Sequence, residues 1–147
     1  MRASIVKEAV KFNCKSLGIS EPKTRLFPSL HFATPTTMAA LSRDGAMLDI
    51  NSECGRTEAD MWFAISHEMR HKWQIDKSYD FTSYKTSNEI DIIDYNMQPA
   101  EIDAHAWAVI VMVSTFGLRP MLREALGEEV WAAIERRIQE ITGGFIT

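Results

Sequence analysis

Cysteine is scarce in this chain: its 147 residues contain only two, Cys14 and Cys54. They could form at most one disulfide, so a scaffold built on disulfides is excluded. No segment approaches the roughly eighteen consecutive apolar residues that a membrane-spanning helix needs. An excess of basic residues is also missing, since the net charge is −4 and Lys and Arg are scattered. The sequence therefore predicts a globular protein with neither nucleic acid nor a membrane as partner.

Residues 1–17 lack the pattern of a secretory signal peptide, because Lys7, Glu8, Lys11 and Lys15 interrupt any apolar segment. The apolar residues recur at helical spacing instead, and Gly18 is a plausible stop. This apolar stripe consists of Ile5, Val6, Ala9, Val10, Cys14 and Leu17. We expect an N-terminal amphipathic helix and, by default, a cytoplasmic protein.

A β-hairpin is predicted before the middle of the chain. The apolar segments 37–41 and 46–50 flank Arg43-Asp44-Gly45, a pattern typical of two antiparallel strands and their turn. The preceding segment 25–34 contains Pro28 and predicts at best an irregular strand. Together with several helical segments, the hairpin indicates an α+β fold, and the length fits one domain over residues 1–147.

The segment His67-Glu68-Met69-Arg70-His71 carries the strongest chemical signal. Residues i and i+4 lie on one face of a helix, so His67 and His71 can bind one metal ion. Glu68 can then reach a water on that ion as a general base, the arrangement of zinc peptidases. The flanking sequence supports a buried helix, since Met61 to Ile65 is apolar and Thr57 with Asp60 suits a capping box.

A catalytic zinc site needs a third protein ligand. The best candidate is Glu101, which follows Pro99 in the first turn of another apolar helix. Two alternatives stay open: Glu101 is a partner of the helix dipole, or His105, one turn later, is the ligand instead. His105 could also brace a ligand, stabilise an oxyanion or be a hydrogen-bonded core histidine. Cys54 is expected to be a buried or half-buried thiol outside the site.

With these motifs the chain resembles a family. His67-Glu68-x-x-His71, followed some thirty residues later by Glu101-x-x-Ala104, is similar to the gluzincins, and most similar to their ImmA/IrrE-like, minimal branch. The resemblance implies a compact zincin-like domain with His67, His71 and Glu101 as Zn²⁺ ligands and Glu68 as base. It also implies that a sheet edge, here 48–52, binds an extended peptide; the alternative is a simple hairpin that supports the helix. His105 departs from the family, where many members have an aspartate.

The function expected is that of a zinc metallopeptidase (a metalloendopeptidase) acting on a specific peptide or protein substrate, which the resemblance suggests is a regulatory protein. The alternative is a non-catalytic regulatory or protein-binding module with a structural metal. The segment 75–97 is predicted to be a cleft-forming loop or a short extra helix. A tyrosine from it could stabilise the oxyanion, and the sequence does not choose between Tyr84 and Tyr95. A final helical region is predicted to run from beyond Pro120 to about Ile141, with Gly143-Gly144 as its C-cap signal. The residues expected to pack it onto the two site helices are Ala125, Val130, Trp131, Ile134, Ile138 and Ile141. Nothing in the sequence indicates the oligomeric state.

Overall fold

A computed structural model describes residues 3–54 and 57–144. The mixed α+β class is confirmed, and the described residues form two compact units, which we call the N-terminal unit (Met1–Tyr79) and the C-terminal unit (Asp80–Thr147). That residues 1–147 form one domain stays a prediction. The elements are α1 (Ala3–Leu17), β1 (Lys23–Phe27), β2 (Ala39–Leu41), β3 (Met47–Asn51), α2 (Glu58–Asp76), α3 (Ile92–Met97), α4 (Pro99–Phe116), α5 (Arg123–Leu126) and α6 (Glu128–Thr142).

The predicted N-terminal helix is α1, and its predicted apolar stripe is buried throughout. Met1 and Arg2, which the prediction included, lie outside the described residues. The helix ends at Gly18, whose φ of 68° favours glycine because a side chain is strained in this left-handed conformation. α1 packs against α2. Between them, the buried Asn13 donates from Nδ2 to Ser66 Oγ at 3.0 Å, which satisfies a polar group inside the core.

The sheet has the strand order β1-β3-β2. The predicted hairpin is confirmed, since β2 and β3 are antiparallel. Its turn includes Gly45, with a φ of 75°, and Asp44 accepts the Ala46 N–H. The predicted irregular strand at 25–34 is wrong: β1 is a regular strand, paired in parallel with β3, that ends just before Pro28.

The prediction that segment 48–52 is a sheet edge is also wrong. β3 is the central strand, because β1 pairs with it on the side opposite β2. Sequence patterns did not indicate this pairing, since β1 is separated from β3 by β2 and its partner is not its neighbour in sequence. Leu48 and Ile50 are buried, as expected for the middle of a sheet. The outer strands of the sheet are β1 and β2.

Helix α2 begins with the predicted capping box. Thr57 is the N-cap, its side chain accepts the Asp60 N–H at 3.1 Å, and the Asp60 carboxylate accepts the Thr57 N–H at 3.4 Å. Two basic residues flank His71 on this helix. Lys72 pairs with Asp76 at 2.9 Å, and the guanidinium of the buried Arg70 lies over the Trp73 ring, 3.8 Å from the ring centre.

The segment 75–97, which was predicted to be a loop or a short helix, contains α3, and this helix lies in the C-terminal unit. Pro99 occupies the first turn of α4, as predicted, and α4 ends at Gly117 with a φ of 65°. The final helical region is interrupted at Gly127, so α5 and α6 replace one continuous helix.

Helix α6 packs on α4, and four of its residues are buried. Two residues expected in this core are not buried, since Ala125 is exposed and Ile141 is only half-buried. The predicted end of the helix at Gly143 is confirmed, with a φ of 66°. The buried residues of α6 are Val130, Trp131, Ile134 and Ile138. Within residues 3–54 and 57–144, none of the helices combines the length and the apolar character needed to cross a bilayer.

Candidate metal centre

Helix α2 brings the two predicted imidazole ligands together. The Nε2 atoms of His67 and His71 lie 3.2 Å apart, and their rings are nearly perpendicular, with an interplanar angle of 81°. Both side chains are half-buried. Because residues four apart lie on one face of a helix, the helical repeat makes this approach possible. Two ring nitrogens therefore face one point beside α2.

Gln74 fixes the protonation pattern of His71. Its Oε1 atom lies 2.8 Å from His71 Nδ1, and because an amide oxygen can only accept, Nδ1 carries the proton. Nε2 of the neutral ring then carries a lone pair on the side that faces His67. Gln74 is only 2% exposed. This role of Gln74 was not predicted, although an amide three residues after His71 on a buried helix is a signal for such a contact.

Glu68 lies on α2 next to this pair and is half-buried. Its Oε1 atom accepts a hydrogen bond from the Leu41 N–H of β2 at 3.3 Å. This distance is at the long end of the range for N–H···O bonds, so the contact restrains the carboxylate only weakly. The arrangement leaves Glu68 with a second oxygen that can receive a proton.

Glu101 lies in the first turn of α4, as predicted, and its residue surface is 1% exposed. Its Oε2 atom accepts a hydrogen bond from the Tyr84 hydroxyl at 2.7 Å. Burial, followed by the negative charge of Glu101, raises the pKa of the Tyr84 phenol above its ordinary value. Tyr84 therefore keeps its proton and acts as the donor.

His105 lies one turn after Glu101 on α4. Its Nδ1 atom is 2.8 Å from the main-chain oxygen of Glu101, and because a carbonyl accepts, Nδ1 is protonated. This contact fixes the tautomer of a neutral His105 ring. It agrees, as far as Nδ1 is concerned, with the alternative that His105 is a hydrogen-bonded histidine. Cys14 and Cys54 are both free thiols; Cys54 is half-buried and stays outside the predicted ligand set.

Comparison with protein-family models, with curated proteins and with solved structures gives no match for this chain.

Proposed function

We propose that this chain is a zinc-dependent metallopeptidase, and the observation that carries the proposal is the approach of His67 to His71. Zinc–nitrogen bonds of about 2.0–2.1 Å in tetrahedral geometry place two ligand nitrogens about 3.3 Å apart. The Nε2 atoms of the pair are 3.2 Å apart. The pair therefore has the spacing required of two ligands to one zinc ion.

Glu101 is the third ligand in this proposal. Its support is chemical, since Glu101 is a buried carboxylate in the opening turn of an apolar helix. Two imidazoles with one carboxylate form a ligand set typical of catalytic zinc, whereas calcium and magnesium prefer oxygen ligands alone. Glu101 is 1% exposed and accepts a hydrogen bond from Tyr84, and a metal would add a cation beside this buried carboxylate.

The chemistry assigned to the site is the hydrolysis of peptide bonds. When bound, zinc would acidify a water molecule and stabilise negative charge on the carbonyl oxygen. Glu68 is the general base: its carboxylate takes the proton from the attacking water and returns it to the leaving amine. Gln74 keeps His71 in the tautomer whose Nε2 can bind, because it accepts the proton of Nδ1.

The substrate proposed is an extended segment of a peptide or protein, with a regulatory protein as the expected class. We assign its docking to β2 instead of the central strand β3. Met38 and Ser42, which flank β2, form main-chain hydrogen bonds with the segment of β3: the Ser42 N–H donates to Met47 O, and the Asn51 N–H donates to Met38 O. Main-chain groups of successive residues in a strand point alternately to its two sides. Ala39 and Leu41 therefore direct their main-chain groups away from β3, where a substrate strand could pair. This outer side also carries the Leu41 N–H bound by Glu68.

The test is zinc stoichiometry combined with the substitution Glu68→Gln. We expect the wild-type protein to take up one zinc per chain and to cleave members of a library of internally quenched peptides. Glu68→Gln should retain zinc and lose about 10²–10⁴-fold in kcat/KM, because the amide cannot accept the proton of the attacking water. Glu8→Gln, at an exposed position of α1, is the matched control and should leave both quantities unchanged.

The outcomes separate the alternatives. A wild-type protein that takes up no stoichiometric zinc contradicts the proposal outright. Zinc uptake without hydrolysis of any peptide or protein tested would favour the non-catalytic module with a structural metal. A Glu68→Gln variant that hydrolyses as well as the wild type would show that Glu68 is not the base.

A further inference from the structure

The contacts of Glu101 within the C-terminal unit single out Tyr84. The Tyr84 hydroxyl is 2.7 Å from Glu101 Oε2 and 3.1 Å from the Tyr95 hydroxyl. A phenol has one proton, and a buried carboxylate is a stronger acceptor than a second phenol. Tyr84 therefore gives its proton to Glu101, the shorter of its two contacts. The Tyr95 hydroxyl is a second, longer contact of the Tyr84 hydroxyl.

The position of Tyr84 is fixed by a clamp on the next residue. The Gln98 side chain accepts the Lys85 N–H with Oε1 at 2.6 Å and donates from Nε2 to the Lys85 carbonyl oxygen at 2.9 Å. Gln98 is also the N-cap residue of α4, three positions before Glu101. The two bonds tie the main chain beside Tyr84 to the start of the helix that carries Glu101. The tyrosine is thus held relative to the carboxylate before any ligand is present.

Ring contacts hold the aromatic part of Tyr84 as well. Its ring meets the Phe81 ring edge-on, with centroids 5.5 Å apart, and the Tyr95 ring at 6.2 Å. Such arrangements are favourable for aromatic pairs. Both the hydroxyl and the ring therefore have defined partners, so the direction of the hydrogen bond to Glu101 is constrained on two sides.

We propose that Tyr84 is a positioning residue for Glu101: its hydroxyl engages Oε2 and so presents Oε1 as the single metal-ligating oxygen. The inference rests on the proposed function, because it takes Glu101 to be a ligand. It also decides between two roles for the tyrosine. Since the only Tyr84 proton is given to Glu101, Tyr84 acts through the ligand and does not stabilise the oxyanion of the substrate.

The experiment compares Tyr84→Phe with Tyr95→Phe in the full chain. Zinc affinity is measured by competition with a chromophoric chelator, and cobalt(II) is used as a spectroscopic substitute. Tyr84→Phe should weaken zinc binding about 10–100-fold, the range typical of lost hydrogen bonds to metal ligands, and should change the cobalt absorption bands. Tyr95→Phe removes a hydroxyl one step further out and should weaken binding less than about threefold.

A double-mutant cycle separates a positioning role from a general loss of structure. In a Glu101→Ala background the hydroxyl has no ligand to orient, so adding Tyr84→Phe should change zinc affinity less than about twofold. An equal loss in both backgrounds would overturn the inference. So would a Tyr84→Phe variant with unchanged affinity and cobalt spectrum, whether its kcat is lower, as for an oxyanion role, or normal.

Failure of this inference is distinguishable from failure of the proposed function. A wild-type chain without zinc would remove both. A wild-type chain that binds zinc and hydrolyses peptides, together with Tyr84→Phe of undiminished affinity, would remove only the role of Tyr84. Thermal unfolding of the apo proteins serves as the check that both tyrosine variants are folded.

Discussion

The two units hold their candidate ligands in different ways. In the N-terminal unit, His67 and His71 are brought to 3.2 Å by the repeat of a single helix, and Gln74, which sets the tautomer of His71, lies on that helix too. In the C-terminal unit, Glu101 depends on Tyr84, seventeen residues earlier, for its orientation. A ligand pair within one helix is fixed as soon as the helix forms. A ligand oriented by a distant side chain is fixed only when the unit around it has folded.

The largest expected effect comes from breaking the helical pair. His71→Ala should lower zinc affinity by more than about a hundredfold, because removing a direct ligand costs more than the 10–100-fold typical of an outer partner. Peptide hydrolysis should be lost with the metal. The measurements are zinc content after dialysis and cleavage of the quenched peptide library. His31→Ala, which removes a partly exposed histidine bound to Asp49, is the control, and a loss of zinc there would argue against α2 as the site.

A middle-sized effect is expected from Gln74→Leu, which keeps the side-chain volume and removes the acceptor for His71 Nδ1. Zinc affinity should fall about 10–100-fold, because the tautomer of His71 is no longer fixed. Comparing its zinc affinity with that of Tyr84→Phe shows which partner matters more: Gln74, which lies on the same helix as its ligand, or Tyr84, which is distant in sequence from its ligand. If Gln74→Leu binds zinc like the wild type, the helix alone orients the pair. Tyr84 would then be the more important of the two outer partners.

The smallest effect concerns a charged cluster of the N-terminal unit outside the site. Burial acts to raise the pKa of Asp49, but hydrogen bonds from Arg25 and His31 outweigh it and hold the pKa below its ordinary value. Arg25 and His31 are 38% and 37% exposed, so solvent screens the pair. Asp49→Asn should therefore cost at most about 1 kcal/mol of unfolding free energy at neutral pH and leave zinc affinity unchanged.

The pH dependence of that cost has a defined sign. The pKa of Asp49 is lowered in the folded state. The contribution of its ionised carboxylate to the free energy of unfolding is therefore fully present above the ordinary pKa of about 3.9. The contribution is lost as the pH falls through the lowered value. Urea unfolding of the wild type and Asp49→Asn between about pH 7 and pH 3 should show the two converging at the acid end. A difference that is constant over the whole range would contradict the assignment.

Much of the local structure could be predicted from sequence, because local signals specify it. Thr57 and Asp60 predicted the start of α2, Pro99 the start of α4, and Gly143 the end of α6. The predictions failed where distant segments meet. The central place of β3 depends on a parallel partner that the turn signals of the hairpin do not indicate. Ala125 was placed in a core from which the break at Gly127 separates it.

In the candidate site, too, contacts within one helix could be predicted, whereas contacts between distant segments could not. The spacing of His67, Glu68 and His71 was enough to predict that the three lie together, because a helical repeat converts spacing into proximity. Which of two tyrosines meets Glu101, and which strand lies beside Glu68, depended on the packing of the folded chain. Those contacts join residues 17 and 27 positions apart. Such contacts depend on how loops and strands pack, which no periodicity in the sequence encodes.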